Sequence, residues 1–105
     1  MGSGLGFSEL KGLPLYFILF YTTCEGYVER RAPYREEHLN YARAAHDRGD
    51  LVMAGAFDDP PGGAALVFKG ESRALAEDFA RSDPYVINGL IPEWKVRSWT
   101  VVLGG

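Results

Sequence analysis

The chain has one cysteine, Cys24, and two histidines, His38 and His46. A lone cysteine closes no internal disulfide, which excludes a disulfide-stapled secreted domain. The two histidines are widely spaced and the cysteine lies outside their segment. That is too little for a zinc cluster, so no metal and no cofactor is expected. Basic charge is scarce as well: 11 Lys and Arg stand against 14 Asp and Glu, a formal net charge of −3. Such a chain lacks the positive field with which a nucleic-acid binder neutralises phosphates. The longest apolar run, Leu15 to Tyr21, is far short of the ~20 residues that cross a bilayer. No membrane partner is therefore expected. The first residues lack a basic start and a long apolar stretch, so no signal peptide is read and a cytoplasmic domain is expected. Gly62-Gly63 is not followed by the Lys and Ser/Thr of a phosphate loop. No Gly-x-Ser-x-Gly nucleophile elbow occurs.

What remains has the composition of an ordinary globular domain. Hydrophobic residues make up 47% of 105 residues and charged residues 24%, so one domain with a real core is expected. Residues 1–13 are rich in Gly and Ser and read as a flexible N-terminal arm. Residues 14–105 read as a single domain. Leu15 to Tyr21 is apolar on both faces, the pattern of a central strand covered on both sides. After Pro33, the spacing of Tyr34, His38, Tyr41 and Ala45 places them on one stripe of a helix. Gly49 is a natural stop for it. Leu51 to Phe57 reads as a second strand, Asp58 to Gly63 as a longish turn, and Ala64 to Lys69 as a third strand. Ser72 is a good N-cap for a second helix, which should end at Ser82-Asp83-Pro84 because the residue before proline avoids helical geometry. Tyr85 to Pro92 reads as a connection and Trp94 to Leu103 as the last strand.

The resulting order is β-α-β-β-α-β. This is the ferredoxin-like split βαβ arrangement of the α+β class, an antiparallel sheet with two helices on one face. Two helices cannot cover both faces of the sheet. If the first strand is buried on both sides, a second copy packed sheet against sheet is the simplest cover, so a homodimer is expected. Trp94 and Trp99 fall on opposite faces of the last strand, where they read as core or interface residues.

One constellation carries possible chemistry. Arg35-x-x-His38 sits on the first helix and Asp83-Pro84-Tyr85 follows the second, and this topology can bring the two helix ends together. A carboxylate on one ring nitrogen orients an imidazole and makes it more basic, which suits a general acid or base. Arg35, one turn before His38, has the fork to hold an anionic substrate group. Tyr41 and Tyr85 offer hydroxyl donors. The plain alternative is a satisfied helix histidine and an aspartate that merely ends a helix. Cys24 has no cation beside it in sequence and reads as a small, half-buried residue.

Several of these segments, taken in order, resemble the YCII-related family. They are Tyr16-Phe17-Ile18, Arg35-x-x-His38-Leu39, Gly49-x-Leu51-Val52-x-Ala54-Gly55 and Ser82-Asp83-Pro84-Tyr85-x-x-x-Gly89-Leu90. The resemblance covers about residues 15 to 102. It implies ferredoxin-like protomers joined in a dimeric α+β barrel-type assembly. It also implies an active site of one His and one Asp, which map onto His38 and Asp83. Some relatives act on ring compounds by dehydrochlorination or lactone isomerisation, while most have no established reaction. The sequence departs from the family at Ala56, where many members carry proline, and the Asp58 to Gly63 loop looks short.

The expectation is therefore a small cofactor-independent enzyme. His38 and Asp83 would perform acid/base chemistry, an isomerisation or elimination, on a small cyclic or aromatic-derived acid. Arg35, Tyr41 and Tyr85 would bind that substrate. The alternatives are a non-catalytic small-molecule-binding protein and a dimeric accessory module.

Overall fold

The computed structural model describes residues 15–105. Strand β1, Leu15–Thr22, buries Phe17, Leu19 and Tyr21 on one side and turns Tyr16, Ile18 and Phe20 to the other. This alternation is the strand period of two. A short helix α1, Tyr27–Arg30, and a 3-10 turn, Ala32–Tyr34, lead into helix α2, Arg35–Asp47. Strands β2, Leu51–Asp58, and β3, Pro61–Gly70, form a hairpin. Helix α3, Ala74–Ser82, a one-turn helix α4, Pro84–Ile87, and strand β4, Glu93–Trp99, complete the chain. The sheet order is β2-β3-β1-β4 and each neighbouring pair is antiparallel. This is the split βαβ order expected from the sequence.

The core lies between this sheet and the helices. Leu51, Leu66, Phe68 and Val96 join the inward residues of β1, and Ala45, Ala76, Phe79 and Ala80 come from α2 and α3. Small residues on both helices allow close approach to the sheet, and the Phe68 and Phe79 rings meet edge-on at 5.2 Å. The opposite sheet face carries Met53, Phe57 and Trp99, all exposed, together with half-buried Tyr16, Ile18 and Val67. Of the two tryptophans, Trp94 is half-buried against the core and Trp99 lies on the open face.

Three boundaries differ from the sequence reading. The turn between β2 and β3 is not long: Asp58 pairs with Pro61, leaving Asp59-Pro60 as the connection. Gly62 and Gly63 adopt φ of 124° and 90°. Those angles, with a register shift near Ala56, let the ladder continue where glycines and a proline suggested a loop. At Gly63 a side chain would also collide, because a Cβ there would lie 2.9 Å from the Tyr21 carbonyl oxygen. The last strand ends at Trp99 and not at Leu103. Val102 and Leu103 pair with no strand among the described residues and are exposed. The segment after Pro84 is helical at first, because proline suits the opening turn of a helix as well as it ends the one before. Ser72 does accept a hydrogen bond at the α3 start, from the Ala74 N–H at 3.1 Å. The arm assigned to residues 1–13 lies outside the described residues.

Candidate active site

Asp83 is fully buried. Its position follows from the Asp-Pro dipeptide. The residue before proline is extended, here with φ −68° and ψ 126°, so α3 stops and Asp83 becomes the N-cap of α4. The carboxylate Oδ1 accepts the Tyr85 N–H at 2.9 Å and also meets His38 Nδ1 at 2.8 Å. Its Oδ2 accepts the Tyr21 hydroxyl at 2.6 Å. Three donors thus replace the water lost on burial, which is what a buried carboxylate requires. Strand β1, helix α2 and the α3–α4 junction each supply one side chain to this cluster.

Accepting from Nδ1–H puts the neutral imidazole's lone pair on Nε2. Nε2 has no hydrogen-bond partner among the described residues. The ring is held flat by Tyr85, whose ring stacks on it at 3.8 Å and 6° from parallel. Tyr27 meets the Tyr85 ring edge-on at 5.7 Å.

His38 borders a cavity of about 300 Å³, with Tyr21, Tyr27, Arg31, Arg35 and Tyr85 around it. The helix-facing positions of the neighbouring strands are Ala54, Ala56 and Ala64, and these small side chains leave the space unfilled. Ala56 thus forms part of the cavity floor, at the position where the sequence departs from the family pattern. Arg31 lies 5.3 Å from the centre of the Tyr27 ring. Burial pushes the Tyr21 hydroxyl far above the ordinary tyrosine range, and the charge of Asp83 and its hydrogen bond add to this. Burial also raises the Tyr85 hydroxyl, while the nearby guanidiniums of Arg31 and Arg35 oppose the rise.

The fold brings His38, Asp83, Arg35 and Tyr85 together. Tyr41 turns away: its hydroxyl donates to the Phe79 carbonyl at 2.7 Å and it does not border this cavity. Its spacing from His38 is right for the same helix stripe, but α3 passes close enough to take up the hydroxyl. His46 is likewise occupied, with Nδ1 2.8 Å from the Leu51 carbonyl oxygen. Cys24 lies outside the cavity, 3.2 Å from Arg30 Nη1. Sequence reasoning missed Tyr21 and Arg31. Tyr21 was signalled by a hydroxyl at an inward position of β1, since a buried tyrosine needs a partner. Arg31 was signalled by its spacing of four from Arg35.

The model of the YCII-related domain matches residues 15–100. The chain belongs to the YCII-related family. Among solved structures, the family fold seen here resembles the 5-chloro-2-hydroxyhydroquinone dehydrochlorinase of Burkholderia phenoliruptrix AC1100, in complex with 2,5-dihydroxybenzoquinone. The TM-score is 0.68 at 20% identity, over 81% of this chain and 93% of the other. That likeness is one of fold. No curated protein matches the chain. No helix among the described residues is long and apolar enough to cross a membrane.

Proposed function

We propose that this YCII-related protein is a small acid/base enzyme that acts without a cofactor on a cyclic or aromatic-derived acid. The observation that carries the reading is the 2.8 Å contact between His38 Nδ1 and buried Asp83, with His38 on the cavity wall and no partner for its Nε2 among the described residues. In the neutral state Nε2 accepts a proton from an acidic C–H of the substrate. Asp83 then stabilises the imidazolium, because an opposite charge favours the charged form. The electron pair released from the C–H bond moves onto the adjacent carbonyl oxygen, where Arg35 holds the resulting negative charge. Returning the proton from His38 to a different carbon completes an isomerisation. Expelling a leaving group with its electron pair from the neighbouring carbon completes an elimination. The fold is supported in such a role by the dehydrochlorinase of the same architecture, which acts on a hydroquinone ring.

The protein acts as a homodimer in this reading. The sheet face opposite the helices carries Met53, 64% exposed, Phe57, 47%, and Trp99, 46%. Packing two such faces together removes these side chains from water, a favourable exchange of roughly 25 cal/mol per Å² of apolar surface.

The test is solvent deuterium incorporation. The protein is incubated in heavy water with a panel of single-ring keto acids, lactones and substituted hydroquinones, and exchange at carbon is read by NMR. Exchange with wild type but not with His38→Gln is the expected result. Equal exchange with both proteins, or none with wild type, contradicts the proposal.

A further inference from the structure

Arg31 caps the C-terminal end of α1 and Arg35 begins α2, four residues on, and both line the cavity. Neither forms an ion pair among the described residues. Two like charges at this spacing repel, and an anion between them reverses the sign of that interaction. Both act on the same third group, the Tyr85 hydroxyl. Tyr85 is 2% exposed, its ring is fixed by stacking, and its buried hydroxyl has the Arg35 guanidinium beside it but no acceptor for its proton among the described residues. A buried donor without an acceptor is costly and rare in a native structure, and it gains what it lacks when a ligand oxygen arrives. Below these three groups lies the floor of Ala54, Ala56 and Ala64. The space of about 300 Å³ is at the lower end of ligand pockets, which suits one ring rather than two.

Taking the acid/base reading of His38 and Asp83 as the starting point, we propose that Arg31, Arg35 and the Tyr85 hydroxyl form an oxyanion subsite for a single-ring ligand. The ligand carries a carboxylate or an ionised ring hydroxyl. Its oxygen sits against the guanidiniums and the phenol, and its ring lies over the alanine floor, within reach of His38. Arginine forks favour such planar oxyanions over neutral groups of the same shape. Arg31 and Tyr85 are thereby specificity-determining residues, and Ala56 sets the room available to the ring.

Calorimetric titration of the full chain tests this without needing turnover. Benzoate and its neutral isostere benzamide are compared, together with 4-nitrophenolate at mildly alkaline pH. Benzoate should bind at least about tenfold more tightly than benzamide, the difference a charge-assisted contact supplies. Arg31→Gln and Arg35→Gln should each weaken benzoate by about tenfold. Tyr85→Phe should weaken it by about fivefold without lowering the melting temperature, because it removes an unpartnered hydroxyl and keeps the ring. Ala56→Leu should close the floor and abolish binding. Tight binding of benzoate alone assigns the subsite to a carboxylate, and of 4-nitrophenolate alone to an ionised hydroxyl. If neither anion binds, if benzamide binds as well as the tighter-binding anion, or if Tyr85→Phe leaves that anion's affinity unchanged, the subsite is wrong. That failure is separate from failure of the acid/base reading, which is read from deuterium exchange in His38→Gln.

Discussion

The rings of His38 and Tyr85 lie face to face, 3.8 Å apart between centres and 6° from parallel. The Tyr85 N–H donates to the same Asp83 oxygen that bonds His38 Nδ1. Tyr85 therefore holds the pair twice, through its backbone at the carboxylate and through its side chain at the imidazole. One sequence feature, Asp83-Pro84-Tyr85, produces both contacts, because Pro84 forces the helix break that lets Asp83 cap α4.

Tyr21 is the third support of this pair, and its removal should be felt in stability. Tyr21→Phe leaves one oxygen of a buried carboxylate without its donor. A hydrogen bond to a charged group is worth about 2 kcal/mol. Urea unfolding should show a lower midpoint at unchanged slope. An unchanged midpoint would show that the 2.6 Å contact contributes nothing net.

Removing the carboxylate should cost more. Asp83→Ala abolishes the α4 cap and leaves the Tyr21 hydroxyl and the Tyr85 N–H without an acceptor. A loss of about 3 kcal/mol follows from breaking such a buried cluster. Asp83→Asn keeps an acceptor oxygen for the cap and should lose less. Thermal melts of the two variants give the order directly, and Asn below Ala would contradict it.

Stability should also fall at alkaline pH. Tyr21 has a raised pKa in the fold, first through burial and then through Asp83. Tyr41 and Tyr85 are raised too, with burial as the first cause. A group whose folded pKa is raised contributes stability that is complete below its unfolded value, near 10. That contribution is lost as pH climbs above that value, because the unfolded chain releases protons the fold retains. The melting temperature should decline above about pH 10, and less steeply in Tyr21→Phe. Parallel declines in the two proteins would remove Tyr21 from the explanation.

The open sheet face should be the dimer contact. Sedimentation of wild type should give twice the protomer mass. Val67→Asp, at a half-buried position of that face, should give a folded monomer. A monomeric wild type would show that this face, where Lys69, Lys95 and Arg97 stand beside the apolar residues, is not covered by a second copy.

Much of this arrangement was legible in the sequence, for identifiable reasons. The β-α-β-β-α-β order follows from four short apolar runs separated by two helical segments and one turn. His38 and Asp83 were placed by helix phase and by the proline break. Tyr21 was not read because its hydroxyl is hidden in an apolar strand and its partner lies 62 residues away. Tyr41 misled because helix phase fixes which stripe a residue shares and not what the neighbouring helix does to its hydroxyl. Val101 to Leu103 looked like strand because β-propensity is local, whereas a strand needs a partner in register and none is present among the described residues. The cavity itself arises from what Ala54, Ala56 and Ala64 do not fill, and becomes visible only when β2 and β3 are paired.

The most direct test of the central claim is the rate of deuterium exchange at substrate carbon, compared at one pH between wild type and folded Asp83→Asn. If Asp83 orients the His38 imidazole as general base through the 2.8 Å contact, the variant exchanges at least about tenfold more slowly than wild type. Exchange at the wild-type rate would mean that His38 and Asp83 touch without acting together, and the acid/base account would fall.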